Sequence, residues 1–199
     1  MVTNGRHKPL PAPALTGPVS LEEAIRRRRT AREFAEAPLA IEQVGQLCWA
    51  GQGITDRQGA LRAAPSAGAL YPIELYVVTA EGVSRYRPTD HSLEHHLAGD
   101  HRRPLQRAAL GQEAIGHAPI CIIIAAVVER TARKYHDRAE RYCFMEAGHV
   151  AQNVLLQATA LRLAGVPIGA FEDEQVAEAL KLPKGHRVLY LLPLGHPRQ

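Results

Sequence analysis

The apolar residues of this chain fall into runs of two different periods. The segment 119–128, Pro-Ile-Cys-Ile-Ile-Ile-Ala-Ala-Val-Val, is apolar without alternation. That predicts a strand covered on both faces, at the centre of a sheet. Segments 73–79 and 83–86 flank the short turn at Glu81-Gly82 and predict a hairpin. A last strand is predicted over 187–194, where Pro193 points to an edge position because it lacks an N–H for the ladder.

Helical spacing governs the rest. Residues 139–164 are apolar nearly all round, through Phe144, Met145, Val150, Val154, Leu155, Leu156, Leu161 and Leu163, with small Ala147, Gly148 and Ala151 between them. A helix apolar on every side is buried on every side, in the middle of a domain or at a subunit interface. Gly165 and Pro167 end it. Ile41, Val44, Leu47 and Cys48 predict another helix, closed by Gly51 and Gly53. Ser20-Leu21-Glu22-Glu23 is a capping box that starts a helix carrying Leu21, Ala24 and Ile25 inward. Shorter helices are predicted over 104–110, with Pro104 near the first turn, and over 173–180. Residues 1–18, with Pro9, Pro11, Pro13 and Pro18, predict an extended arm outside the core, and 19–199 a single domain. The whole reads as an α+β layered fold with a small mixed, mainly antiparallel sheet.

Composition narrows the function by exclusion. No apolar run reaches the eighteen residues of a membrane span, and residues 1–17 lack the apolar stretch of a secretory signal, so a cytoplasmic protein is expected. The net charge of +4 comes from interspersed charges, except at residues 26–29, which are four consecutive arginines. No nucleic-acid module accompanies them. Cys48, Cys121 and Cys143 are far apart in apolar surroundings and read as buried thiols in a reducing compartment. The ten histidines show no metal-binding spacing. Ser66 is not in a nucleophile elbow, Gly51-Gln52-Gly53 is not a dinucleotide fingerprint, and no carboxylate pair stands out. So thin a catalytic inventory favours a cofactor that carries the chemistry itself.

Four places could serve such a cofactor. Arg28, Arg29, Thr30 and Arg32 offer guanidinium forks and a hydroxyl suited to a phosphate; helix-dipole stabilisation accounts for one or two of the arginines. Pro65-Ser66-Ala67-Gly68-Ala69-Leu70-Tyr71-Pro72 is a run of small residues that would let the backbone lie against a planar ligand. Gln152-Asn153 puts two amides on a buried helix, where a flavin edge or a backbone group would satisfy them. Lys134-Tyr135, among Arg130, Arg133, Arg138 and Arg141, reads either as a solvated basic entrance or as a proton-transfer pair. Neighbours on a regular helix point about 100° apart, so both can face one ligand only if the backbone there is irregular.

These residues, with Glu146-Ala-Gly-His-x-Ala-Gln-Asn153 and Leu191-Leu-Pro-Leu-Gly-His196, occur in the order seen in the FMN-dependent nitroreductase family. The chain resembles that family from about Ser20 to Gly195, and within it the SagB-type branch, which includes the azoline oxidases. The resemblance implies a three-layer α/β/α sandwich and a homodimer with FMN at the subunit interface. It assigns Arg28, Arg29, Thr30 and Arg32 to the phosphate and ribityl chain. Pro65, Ser66, Ala67 and Gly68 would form the loop that reaches the flavin from the other subunit. Pro167, Ile168, Gly169 and Ala170 would lie beside the flavin N5 edge. Lys134-Tyr135 matches a pair thought to assist proton removal in the azoline oxidases. Thr30 stands where the family usually has serine. Many members continue past the equivalent of His196 with further basic phosphate ligands, a part that Arg198 would take here.

The resemblance therefore implies an FMN-dependent oxidoreductase of a small-molecule or modified-peptide substrate, oxidising a C–N bond. An NAD(P)H-dependent reductase of nitro compounds or quinones is the alternative, and a flavin-binding protein without turnover a third.

Overall fold

The computed structural model describes residues 7–56, 58 and 61–198. The first six residues of the expected arm lie outside them. Seven strands form one sheet in the order β1-β4-β3-β2-β5-β7-β6. They are β1 His7–Pro9, β2 Ile73–Val78, β3 Gly82–Arg87, β4 Ser92–Ala98, β5 Ile120–Val127, β6 Ala164–Gly165 and β7 His186–Gly195. Every ladder between them is antiparallel, and the one parallel contact described is an isolated bridge from Thr30 to Gly165. The expected mixed character of the sheet thus reduces to that bridge.

β5 lies between β2 and β7, with Ile120 through Ala126 buried. Its unbroken apolar run has two faces to cover. Ile120, Ile122, Ile124 and Ala126 pack with Leu47 and Cys48 of α2 (Ile41–Gln52) and with Val150 and Val154 of α6 (Ala139–Ala160). Cys121, Ile123 and Ala125 pack on the other side with Leu105 of α3 (Arg102–Ala108), Ile115 of α4 (Glu113–His117) and Val176 of α7 (Asp173–Ala179). The result is a three-layer α/β/α sandwich. α1 (Leu21–Arg27) lies against α6, and α5 (Val128–Tyr135) continues directly from β5. Half of the expected capping box forms: Ser20 Oγ accepts from the Glu23 N–H, while the Glu23 carboxylate pairs with Arg26 and Arg27 instead of reaching back to Ser20.

Four features differ from the sequence pattern. β7 is flanked on both sides rather than lying at an edge. Pro193 stands opposite Cys121, but its carbonyl accepts from the Val166 N–H at 3.3 Å, on the side away from β5. Backbone N and O of one strand residue point the same way, so the missing N–H faces the two-residue β6 and costs no bond to β5. Leu10, in the segment expected outside the core, is buried against it. Leu21 and Ile25 face outward at 61% and 55% exposure, leaving only Ala24 of α1 buried. α6 is not buried all round: Phe144, Met145, Gly148 and Gln152 form an exposed stripe.

All three cysteines are buried and free. Among the described residues no helix is long and apolar enough to cross a membrane.

Candidate active site

The loop over 66–71 is the most constrained stretch of backbone near the predicted site residues. Gly68, Ala69 and Tyr71 have φ values of 62°, 52° and 47°. Non-glycine residues rarely adopt such angles, and each costs on the order of 1–3 kcal/mol. The surroundings hold them there. The Tyr71 N–H donates to Ser66 Oγ at 2.9 Å, and Tyr71 Oη accepts from the Arg62 N–H at 3.1 Å. Arg130 donates to the Tyr71 carbonyl at 3.1 Å, and the Arg62 guanidinium lies 4.6 Å over the Tyr71 ring. Ser66 is therefore a loop anchor, while Pro65 and Gly68 are exposed.

Lys134 and Tyr135 arrive at the same place. They are the last two residues of α5, which stops at His136 with φ 48° and ψ −122°. A Cβ placed on Gly68 would lie 2.9 Å from Tyr135 Oη and 3.1 Å from Lys134 Nζ. Both side-chain tips thus converge on one glycine despite the angle between helical neighbours, because they sit at the broken end of the helix. Tyr135 is steadied by an edge-on contact with Tyr142, 4.9 Å between ring centres.

Beneath the loop lies a residue the sequence reasoning did not single out. Glu146 of α6 is 3% exposed, and its Oε1 has no hydrogen-bond partner among the described residues. Burial pushes its carboxyl up to about 7, opposed by the nearby polar groups of Ser66 and Gln52 and by the Arg62 charge. Gln52 accepts from Arg62 Nη1 at 2.7 Å, which ties the same arginine to loop and carboxylate. The available signal was an acid at a helix position between buried Cys143, Ala147 and Val150.

The arginine cluster occupies the other end of α6. Arg26 and Arg27 are both paired with Glu23. Arg28, Arg29 and Arg32 form no ion pair among the described residues; Arg29 instead donates to the carbonyls of Arg26 and Arg28, each at 2.8 Å. Arg28 and Arg29 line a cavity of about 170 Å³ together with Thr159 and Gly165. Thr30 bridges Gly165, and the Ala31 N–H donates to the Gly165 carbonyl at 3.1 Å. A Cβ at 165 would lie 2.5 Å from the tip of the Leu194 side chain, so a side chain there would require Leu194 to move. A bridge between Phe34 and Pro197 brings Arg198 alongside, 3.9 Å from Glu33.

The segment 167–170 continues from Gly165 along β7 toward the middle of the sheet. Ile168 is buried and bonds both ways with Leu191, while Gly169 and Ala170 are exposed. Between the two ends, Asn153 donates to the Ala63 carbonyl at 3.3 Å and Gln152 is exposed, so a backbone group supplies one of the two amide partners.

One chain therefore gathers the predicted residues into two groups. Pro65, Ser66, Ala67, Gly68, Lys134 and Tyr135 lie near Glu146, whereas Arg28 and Arg29 lie beside Thr159, with Thr30 bridged to Gly165, Arg32 following in the chain, Arg198 next to the Phe34–Pro197 bridge, and Pro167, Ile168, Gly169 and Ala170 running along the middle of β7. Thirteen residues of helix separate Glu146 from Thr159, about 20 Å at 1.5 Å per residue. A larger cavity of about 430 Å³, lined by Lys8, Leu39, Val77 and His95, opens at the far end of β5 and holds none of these residues.

Comparison with known proteins identifies the family. Residues 25–196 match the model of the nitroreductase family. The chain is 43% identical over 183 residues to a Methanocaldococcus jannaschii protein named as a nitroreductase, covering 89% of this chain and 91% of that one. It is 28% identical over 130 residues to the microcin B17-processing protein McbC of Escherichia coli, covering 59% of this chain and 47% of that protein. Among solved structures, one described as a nitroreductase from Ralstonia eutropha superposes with a TM-score of 0.89 at 28% identity, covering 98% of this chain and 90% of the other. The chain belongs to the nitroreductase family, whose members are flavin-dependent oxidoreductases.

Proposed function

We propose that the protein is an FMN-dependent dehydrogenase of the SagB-type branch that oxidises a C–N bond, in an azoline-like ring or a related group of a small molecule or modified peptide. The observation that carries this reading is the convergence of Lys134 Nζ and Tyr135 Oη on Gly68. The residues present fit FMN. Arg28, Arg29 and Arg32 have no carboxylate partner among the described residues and flank Thr30 in the chain, a donor set suited to a phosphate. No adenosine-binding fingerprint occurs, which favours FMN over FAD. Gly68 leaves open the space a side chain would fill beside Lys134 and Tyr135.

Bound there, FMN supplies a hydride acceptor at N5. Arg28, Arg29, Thr30 and Arg32, with Arg198, hold the phosphate end, and residues 65–68 and 167–170 present backbone to the ring system. Gln152, exposed in this chain, is free to donate to the ligand. Lys134 Nζ or Tyr135 Oη takes the proton that leaves the substrate as its C–N bond becomes double. Three buried thiols suit a reducing cytoplasm.

The same reading makes the protein a homodimer with FMN at the interface. Arg28 and Arg29 lie about 20 Å along one α6 from Glu146 and the 66–71 loop, a spacing that supports a second copy supplying the loop to the flavin held by these arginines. The exposed stripe of Phe144 and Met145, with Leu21 and Ile25 on the adjoining α1, is the apolar surface such a copy would cover. Light scattering showing a monomer that still holds flavin tightly would contradict this.

A second reading, an NAD(P)H-dependent nitro or quinone reductase, is favoured by the extended similarity to the protein of Methanocaldococcus jannaschii. Anaerobic stopped-flow separates the two. Flavin bleaching by an azoline-like substrate and not by NAD(P)H supports the dehydrogenase; the reverse supports the reductase. Chromatography of heat-released cofactor tests FMN, and recovery of FAD overturns that part.

A further inference from the structure

Behind the 66–71 loop lies a second concentration of arginines, separate from residues 28–32. A cavity of about 200 Å³ opens between the start of β2 and the end of β3, its polar lining including Gln52, Arg62, Arg85, Arg87 and Arg130 and one carboxylate, Glu74. Its volume is that of about six or seven waters in the liquid. Two of the four guanidinium groups are neutralised at close range: Arg130 by Glu74 at 2.5 Å and Arg85 by Glu94 at 2.8 Å. Arg87 reaches Asp90 and Glu94 only at 3.7 Å, and Arg62 has no ion pair among the described residues. Arg62 is therefore the one arginine of the four without an ion pair among the described residues, and Arg87 is held only by two long ones.

The hydrogen bonding tells the same story. Among the described residues, the buried side-chain nitrogens without a partner are Gln52 Nε2 and Arg87 Nε, and both residues line this cavity. Gln52 is 1% exposed, and although its amide lies near Glu146 it makes no bond there of hydrogen-bond geometry. Burying a donor without an acceptor costs about 1–3 kcal/mol, more for a charged group. Burial also lowers the Arg62 pKa, Glu74 and Glu146 pull it up, and Arg130 adds a like charge that lowers it. Unpaired donors and surplus positive charge on one concave surface are both relieved by an oxygen anion.

We propose that this cavity binds a small oxyanion, the carboxylate or phosphate group of a small molecule. Arg62 and Arg87 supply the charge, with Gln52 Nε2 as a further donor. The site is distinct from the arginines at 28–32 and stands whether or not those bind flavin. Its walls are also those of the loop, because Arg62 and Arg130 both hold Tyr71.

The test is calorimetric titration of the intact protein, saturated with FMN, with inorganic phosphate and separately with acetate, in chloride buffer. Saturable one-to-one binding of one of them is expected, and which one binds tells phosphate from carboxylate chemistry. Arg87→Gln should weaken it about tenfold, the loss of one charge-assisted bond, while Arg32→Ala should leave it unchanged. If the protein does not take up FMN, the same titrations on a flavin-free Arg28→Ala, Arg32→Ala double variant give the answer independently of the flavin reading. No saturable binding of either anion by wild type overturns the proposal. So does an unchanged affinity in Arg87→Gln, or loss of binding in the Arg32→Ala protein. Should Arg87→Gln fail to fold, Arg87→Lys keeps the charge without the Nε donor and should show a smaller weakening in the same direction.

Discussion

The two ends of α6 carry opposite kinds of chemistry. Near Thr159, polar groups face outward and lack partners: Arg28, Arg29 and Arg32 have no carboxylate among the described residues, and Arg29 is left to bond two carbonyls. Near Glu146, polar groups face inward and are linked through Arg62, Gln52, Ser66 and Tyr71, with only Gln52 Nε2 and Glu146 Oε1 left without partners there among the described residues. The first arrangement wants an external anion. The second holds a strained loop in place, and the strain of Ala69 and Tyr71 persists because so many bonds fix them. One end turns its arginines outward, while the other first uses its polar groups to keep a backbone and two side-chain tips in a fixed position.

That contrast is most sharply tested at Lys134 and Tyr135. Lys134→Ala and Tyr135→Phe should slow the substrate-oxidation half-reaction about 10²–10⁴-fold, the usual loss on removing a general base or acid. Flavin affinity should not change, and reduction by a hydride donor that needs no base should persist. Stopped-flow measurement of each half-reaction distinguishes these. Equal oxidation rates in variant and wild type would make the pair a solvated entrance and would move the nitro or quinone reductase ahead.

The buried carboxyl gives the next effect. Glu146 titrates near 7 when folded, against an ordinary 4.5, because burial disfavours its charged form. Below 4.5 both folded and unfolded chains hold the proton. Between 4.5 and about 7 the folded chain keeps a proton that the unfolded chain releases, so this contribution to stability is lost as pH rises through that window. The change is about 3 kcal/mol. Glu146→Gln, which cannot ionise, should be relatively more stable at pH 8 than at pH 5 when compared with wild type by urea unfolding. Parallel pH dependences would mean that Glu146 does not titrate in this window.

Much of this molecule is legible in its sequence, and the failures have physical causes. β5 is legible because an unbroken apolar run has only one place to go, between two layers. β4, with Glu94, His95 and His96 among its residues, is half-exposed and carries no alternation strong enough to predict it. Leu21 and Ile25 follow helical spacing, but spacing gives a face and not what the face meets. The arginines at 28–32 are legible because unpaired charge on a short segment is unusual in any fold. Glu146 is not, since its character comes from the layers around it, and those are set by residues distant in the chain.

At the arginine end, Arg28→Ala and Arg32→Ala should each weaken FMN binding about ten- to hundredfold without unfolding the protein. Each removes charge-assisted bonds worth on the order of 1.5–3 kcal/mol. Titration of the free flavin by fluorescence measures the affinity, and circular dichroism checks the fold. Normal binding in both variants would leave these arginines as a helix terminus only.

The smallest change probes the loop end alone. Gly68→Ala places a side chain at φ 62°, which costs about 1–2 kcal/mol for an L-residue. The new methyl also meets Tyr135 Oη at 2.9 Å and Lys134 Nζ at 3.1 Å. The lysine tip can swing aside at little cost. The tyrosine ring has less freedom, because Tyr142 packs edge-on against it. The variant should therefore fold, lose about 1–2 kcal/mol of stability, and oxidise substrate on the order of tenfold more slowly through misplacement of the pair. Flavin affinity should hold, since the arginines that carry it lie at the opposite end of α6. A variant that loses flavin but oxidises normally once reloaded would mean that the loop serves the flavin alone, freeing Lys134 and Tyr135 from it.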